Sequence, residues 1–172
     1  MDEHEAVVTH ALPLRQGTSS GASVEVPHDG FEQVFPGEYG SVLVRSRATL
    51  ELAEPGLYRF SSLVFEPDGL LNIAGDQTEV ALAIDGDLVL GDRFTMAAGN
   101  QSTQSSRHLF LYAAGQYVEY GHDSVVIGDL EAPAAHVEIR DRSFVRGTIG
   151  GRTVTIGHDA TVGPRAPFAL PE

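Results

Sequence analysis

Two His-Asp pairs, His122-Asp123 and His158-Asp159, are the residues of this chain best equipped for chemistry. A histidine beside a carboxylate can move protons near neutral pH, and clusters of His and Asp can ligate metals. Their surroundings argue for another role. Both pairs fall in three-residue corners that recur as Gly91-Asp92-Arg93, Gly121-His122-Asp123, Arg140-Asp141-Arg142 and Gly157-His158-Asp159. Stacked, the middle residues read Asp92, His122, Asp141, His158, and the last residues read Arg93, Asp123, Arg142, Asp159. Signs alternate in both columns, and equivalent residues of neighbouring parallel strands sit about 4.8 Å apart. A charge ladder along one edge is expected, its middle column strengthening as the histidines protonate below about pH 6.5. The two histidines would then lie about 9.6 Å apart, too far to share one zinc ion without a further ligand. The expected role of these corners is structural, with no catalytic residue, no metal and no cofactor.

Other candidates are weaker. Asp85-Gly86-Asp87 contains part of a calcium-loop pattern but lacks the regular acidic spacing, and Asp-Gly is ordinary turn chemistry. His28-Asp29-Gly30 and Glu66-Pro67-Asp68-Gly69 read as turns in the same way. Ser124 and Ser143 face inward in the repeat described below and read as small core residues; no nucleophile elbow and no phosphate-cradling glycine loop occurs. Phe110, Tyr112 and Tyr117 follow a polar stretch around residues 99–106 and are candidate contact aromatics for a ligand.

The elements that would position these residues are short strands. Apolar residues alternate between Gly, Pro and Asp punctuation, and helical periodicity is absent. Val118-x-Tyr120 followed by Ser124-x-Val126 has the layout of Val137-x-Ile139 with Ser143-x-Val145, and of Val154-x-Ile156 with Ala160-x-Val162. Earlier copies are Leu88-x-Leu90 with Phe94-x-Met96, Leu63-x-Phe65 with Gly69-x-Leu71-x-Ile73, and Val42-x-Val44 with Ala48-x-Leu50-x-Leu52. A third string, Gly128-x-Leu130-x-Ala132, returns as Gly147-x-Ile149-x-Gly151, and Pro36-Gly37-x-Tyr39 returns 19 residues later as Pro55-Gly56-x-Tyr58.

Three short strands in a period of about 17–21 residues make one rung of a β-solenoid. The expected fold is therefore all-β: a single parallel β-helix of about six rungs over residues 25–163, with insertions at the longer spacings. Residues 1–24 read as an irregular N-terminal arm and 164–172 as a Pro-rich C-terminal tail. About thirty inward side chains, each contributing roughly 1.5–3 kcal/mol on burial, outweigh corner pairs worth about 0.2–1 kcal/mol. The apolar stack should set the fold, and the corners should set register and surface chemistry.

Composition narrows the partners. There are 24 acidic and 11 basic residues, a formal net charge of −13, and every basic residue is Arg. No basic patch offsets that acidity, so a nucleic-acid partner is not expected, nor is docking on an anionic membrane. No apolar run approaches the ~20 residues of a membrane-spanning helix. Cysteine is absent, which excludes disulfides and thiolate chemistry. The opening Met1-Asp2-Glu3-His4-Glu5 is acidic where a secretory peptide is basic, so either a cytoplasmic protein or a trimmed piece of an exported one is expected.

The segment from Val154 to Pro164 resembles rungs of several solenoid families. Pro55-Gly56-Leu57-Tyr58, Ile84-Asp85-Gly86-Asp87-Leu88 and Ala132-Pro133-Ala134-Ala135 occur in the order found in a group of bacterial solenoid domains common in secreted or surface proteins. The match covers about residues 36–162, and it implies an extracellular or cell-surface location and a right-handed coil. The chain is also similar to bactofilins in rung length, and to ice-binding solenoids in its Gly-x-Tyr opening. Against ice binding, outward positions hold Glu119, Glu138, Val125, Phe144 and Arg146 rather than a Thr-rich face. Hexapeptide acyltransferases share the unit from Ile156 to Ala166, although the 19-residue spacings break a strict period of six.

The expected function is a non-enzymatic structural module, a stiff spacer or self-assembling element of a bacterial envelope or filament, associating through solenoid ends or flat faces. If the Pro-rich tail lies across the last rung, stacking there is blocked, and deleting residues 163–172 should raise the oligomer size. The alternatives are a ligand-binding or adhesive domain for glycan or ice, and a hexapeptide-like acyltransferase with a histidine in an inter-subunit cleft.

Overall fold

A computed structural model describes residues 21–74, 79–98 and 108–163. The polar stretch around 99–106, the tail over 164–172 and all but the last few residues of the N-terminal arm lie outside them. Among the described residues there are strands and turns and no helix, and no segment is a helix long and apolar enough to cross a membrane.

Sixteen strands follow in chain order: β1 (Val24–Val26), β2 (Phe31–Val34), β3 (Gly37–Val44), β4 (Thr49–Leu52), β5 (Gly56–Phe65), β6 (Leu70–Ile73), β7 (Glu79–Ile84) and β8 (Leu88–Leu90). Then come β9 (Thr95–Ala98), β10 (His108–Ala113), β11 (Tyr117–Tyr120), β12 (Val125–Ile127), β13 (Asp129–Ile139), β14 (Phe144–Arg146), β15 (Ile149–Ile156) and β16 (Thr161–Gly163). Every pairing is parallel and joins a strand to its counterpart one winding on. The chain is a β-solenoid of about six turns with three faces.

The first face stacks Val24, Val42, Leu63, Leu88, Val118, Val137 and Val154 in register. A second face is the seven-stranded sheet β2-β4-β6-β9-β12-β14-β16. The third contains β7, β10 and the first halves of β3, β5, β13 and β15, which bend through the corner into the first face without a break. Four rungs therefore use two strands where the sequence suggests three. At this corner Asp85-Gly86-Asp87 and the residues after Ala113 provide the breaks that separate β7 from β8 and β10 from β11.

Alternation dictates what is inside. Val118 and Tyr120, Val137 and Ile139, and Leu63 and Phe65 are at most 1% exposed, while Glu119, Glu138 and Val64 between them face outward. One apolar core runs the length of the rod. Ser124 and Ser143 sit at inward turning points and are buried; their hydroxyls donate to the carbonyls of Gly91 (3.1 Å) and Gly121 (2.7 Å) one rung back. A polar atom taken out of water thus keeps a partner, which avoids a cost of about 1–3 kcal/mol.

Spacing in sequence and register in space separate at the N-terminal end. The two Pro-Gly-x-Tyr segments are 19 residues apart, yet Gly37 pairs with Tyr58 and Tyr39 with Phe60. The tyrosines serve a local purpose instead. The Tyr39 hydroxyl donates to the Phe35 carbonyl (2.8 Å) and accepts from the Phe35 N–H (3.1 Å), and Tyr58 clasps Glu54 in the same way (2.7 and 3.1 Å). The repeat therefore marks a corner closed four residues upstream, and on the two stacked rungs its copies lie two residues out of register.

Candidate functional site

The corner between the first and second faces carries the histidines, and its geometry is the same in all seven copies. Three residues after the last inward residue of the first face, the backbone takes a positive φ. These residues are Asp29, Arg47, Asp68, Arg93, Asp123, Arg142 and Asp159, with φ between 56° and 64°. Glycine or asparagine usually occupies this region, and other residues hold it at a cost of about 1–3 kcal/mol. Backbone bonds between rungs offset that cost. The Arg93 N–H donates to the His122 carbonyl (2.7 Å), Asp68 to Asp92 (2.8 Å), and Arg142 to His158 (2.9 Å). Each turned residue also projects its side chain along the edge, which glycine could not do.

The column alternates Asp and Arg over its full length, and the arginines all reach towards the preceding rung. Arg47 grips Asp29 through two hydrogen bonds (2.6 and 2.8 Å), Arg93 grips Asp68 (2.6 and 2.8 Å), and Arg142 grips Asp123 (2.7 and 2.8 Å). These hydrogen bonds hold the three carboxyls below the usual carboxylate range. Asp159, on the last described rung, has no arginine beyond it; its carboxylate lies 2.8 Å from the His158 Nδ1. Asp29, Arg47 and Asp68 belong to this ladder although the sequence reading stops at Arg93. Counting three residues on from Val26, Val44 and Phe65 would have found them.

The middle column works through the peptide rather than the imidazole. Asp92 Oδ1 accepts the backbone N–H of His122, and Asp141 Oδ1 accepts that of His158, both at 2.8 Å. The His122 Nδ1 is 3.9 Å from Asp141 Oδ2 and has no hydrogen-bond partner. His158 is 85% exposed and two rungs from His122, with the Asp141 rung between them. Asp87 and Asp129 repeat the device at the other two corners, between the third and first faces and between the second and third. Asp87 accepts the N–H groups of Gln116 and Tyr117 (both 3.1 Å), and Asp129 accepts the Thr148 N–H (2.8 Å) and hydroxyl (2.9 Å). Asp85, by contrast, binds Arg59 (2.9 Å), so the two carboxylates of Asp85-Gly86-Asp87 serve different partners.

A second polar cluster lies on the outside of the first face. The Tyr117 hydroxyl touches both Glu119 (2.7 Å) and Glu138 (2.8 Å), while Arg140 binds Glu119 (2.7 Å) and lies 3.4 Å from Glu138. Burial, then the bonds to Glu119 and Glu138, push the Tyr117 phenol above its ordinary pKa. For Glu119, burial pushes upward, but the hydrogen bonds from Arg140 and Tyr117 outweigh it and the carboxyl lies below its ordinary value. His136 stacks on Tyr117 and its Nδ1 is 2.7 Å from the Thr153 hydroxyl. These residues were missed as a group because they are 2–21 residues apart in sequence and meet only through register.

Of the three candidate aromatics, Phe110 and Tyr112 share the outside of the third face, with Phe110 in register with Ala81 and Leu57. Tyr117 lies past the corner on the first face, so the three do not form one cluster.

Nothing in these arrangements gathers reactive groups around a space. Among the described residues no three of His, Asp or Glu are placed to hold a metal ion. An internal gap bounded by Leu63, Leu71, Leu88, Phe94, Leu109 and Val126 measures about 10 Å³, is wholly apolar, and is at the lower limit for a single water.

Comparison with protein-family models, curated proteins and solved structures finds no match. The likenesses to bactofilins, ice-binding solenoids and surface domains therefore gain no support there, and what stands is the solenoid itself.

Proposed function

We propose that this chain is a non-enzymatic structural module, a stiff solenoid rod that serves as a spacer or assembling element. One observation carries the reading: the carboxylates and arginines around the two histidines, and the backbone N–H groups of the histidines themselves, are engaged in joining one rung to the next. Asp92, Asp123, Asp141 and Arg142 each bind a neighbouring rung, and so do Asp87, Asp129, Glu119 and Arg140. Groups held in this way resist sliding and bending of the rod, whereas catalysis would need them convergent and accessible to substrate. A filament or envelope location in bacteria fits the reading and rests on resemblance alone.

A ligand-binding alternative draws on the third face, where Leu57 and Phe110 are 48% and 46% exposed around Ala81. Negative-stain microscopy combined with a glycan array and an ice-recrystallisation assay separates the two. Rods or discrete assemblies with blank binding assays are expected. A ligand whose binding is abolished by Phe110→Ala would replace the structural reading with the adhesive one.

A further inference from the structure

The two ends of the rod differ. At the first rung the inward residues Val26 and Val34 are 0% and 3% exposed, so the core is covered there, and the exposed apolar residues of that end, Phe31 and Phe35, lie outside it. At the last rung Val154, Ile156 and Val162 occupy the same inward columns as Val137, Ile139 and Val145, yet they are 42%, 53% and 36% exposed. The platform also carries an unsatisfied electrostatic pattern. Asp29, Asp68 and Asp123 each receive an arginine from the rung that follows, and Asp159 has no such rung among the described residues. At the opposite corner of the first face, Arg152 is exposed and makes no ion pair with any described residue.

We infer that the last rung, Ile149–Gly163, is an association surface for the same rung of a second copy of this chain, related by a two-fold axis. Head-to-tail stacking is disfavoured on two counts. It would lay exposed valines and isoleucine on an end whose inward Val26 and Val34 are already covered, and continuing the ladder would set Asp159 about 4.8 Å from Asp29 of the next copy, like against like. A two-fold contact uses one patch twice and must be self-complementary. This patch is. Arg152 precedes and Asp159 follows the strand segment Val154–Ile156, so running the two segments antiparallel brings the Arg152 of each copy towards the Asp159 of the other. The missing arginine of the ladder is then supplied by the partner, the exposed edge groups of β15 gain partners, and Val154 and Ile156 leave water. Because a two-fold contact uses the same patch of both copies, it closes at two. The inference deepens the structural reading above by naming the partner, and it can fail while the rod itself remains a spacer.

Sedimentation equilibrium of the full chain over a range of concentrations tests it. A species of twice the 18.4 kDa chain mass is expected, with nothing larger. Ile156→Asp should loosen the dimer by about 100-fold, and Arg152→Asp by about tenfold. Combining Arg152→Asp with Asp159→Arg should restore it, with far-UV circular dichroism unchanged in all three. Concentration-dependent filaments would overturn the two-fold arrangement in favour of head-to-tail stacking. A monomer at every concentration would overturn the interface altogether and point to residues 164–172 or another partner as its cover. A dimer indifferent to the charge swap would place the contact elsewhere on the rod.

Discussion

Arg142 grips the Asp123 carboxylate with two near-parallel hydrogen bonds, at 2.7 and 2.8 Å, although both residues leave a backbone in the left-handed region, at φ 58° and 57°. Nineteen residues of sequence separate them, and one rung of the solenoid brings them together. The pair shows how this chain uses a conformationally costly corner: the turn aims a charge along the rod, where the next rung meets it with the opposite sign.

Reversing one charge should therefore do more than delete one pair. Arg142→Asp places a third carboxylate beside Asp123 and Asp159, and a lower melting temperature is expected at low salt. The double variant Asp123→Arg with Arg142→Asp regains its own pair but sets Arg against Arg93 and Asp against Asp159, so recovery should be partial. Because these side chains are largely exposed, the differences should shrink in 1 M salt, which screens beyond about 3 Å. Thermal melts of the parent chain and the two variants at two salt concentrations check this, and full recovery in the double variant would show that the pairs do not interact along the column.

Acid should weaken the same edge. Asp29, Asp68 and Asp123 are held below the ordinary carboxylate range by their arginines, so each is more acidic folded than unfolded. Their contribution is complete above an unfolded pKa of about 3.9 and is lost as pH falls through the folded values. Melting temperature should hold from pH 7 to about 5 and fall below pH 4. Replacing all three by Asn should lower it at pH 7 and flatten the acid decline; an unaltered slope would assign the acid sensitivity to other groups.

Much of this fold is legible in the sequence because inward residues must be apolar at every second position, and the corners impose Gly, Asp and Arg at fixed offsets. Val118, Val137 and Val154 could be aligned from spacing alone. Two things were not legible. Rungs of unequal length hide register, so the Pro-Gly-x-Tyr pair suggested Tyr39 over Tyr58, whereas Tyr39 lies over Phe60. Outward networks also depend on which residues share a face on adjacent rungs. Tyr117, Glu119, Glu138 and Arg140 look unrelated until β11 is laid on β13. The ladder was half visible: Arg93, Asp123, Arg142 and Asp159 could be aligned, but Arg47 gave no local signal, because Arg rarely takes positive φ, and Asp29 and Asp68 resembled ordinary turns.

The Tyr117 cluster should behave as a brace. Tyr117→Phe removes one hydroxyl shared by two carboxylates and leaves Glu119 and Glu138 facing each other across adjacent rungs. A loss of about 1–3 kcal/mol in denaturant unfolding is expected. Restoring Glu138→Gln in the same chain should recover part of it, since one negative charge is then gone. If Tyr117→Phe is neutral, the cluster is only a solvated surface.

Close stacking at the corner leaves no room for a side chain at Gly121. A Cβ there would lie 2.4 Å from the Gly91 carbonyl carbon and 2.5 Å from the Asp92 nitrogen, both backbone. Gly121→Ala should cost roughly 1–3 kcal/mol in urea melts, as for overpacked cores. The same change at Gly163, which meets nothing within 4 Å, should be close to neutral. Equal effects at both sites would remove the steric argument.

The register of the windings underlies every statement about ladder, brace and end, and the absence of native cysteine makes it directly measurable. Val64 and Val89 face outward on adjacent rungs and are paired across a 25-residue separation, and Leu43 lies in register one rung before Val64. The Val64→Cys/Val89→Cys chain should form an intramolecular disulfide rapidly and completely under mild oxidation, since paired Cα atoms about 4.8 Å apart suit the bond. The Leu43→Cys/Val89→Cys chain, with its sulfurs two rungs apart, should remain reduced. Cross-linking of the second pair in preference to the first would contradict the stacked solenoid and the structural role built on it.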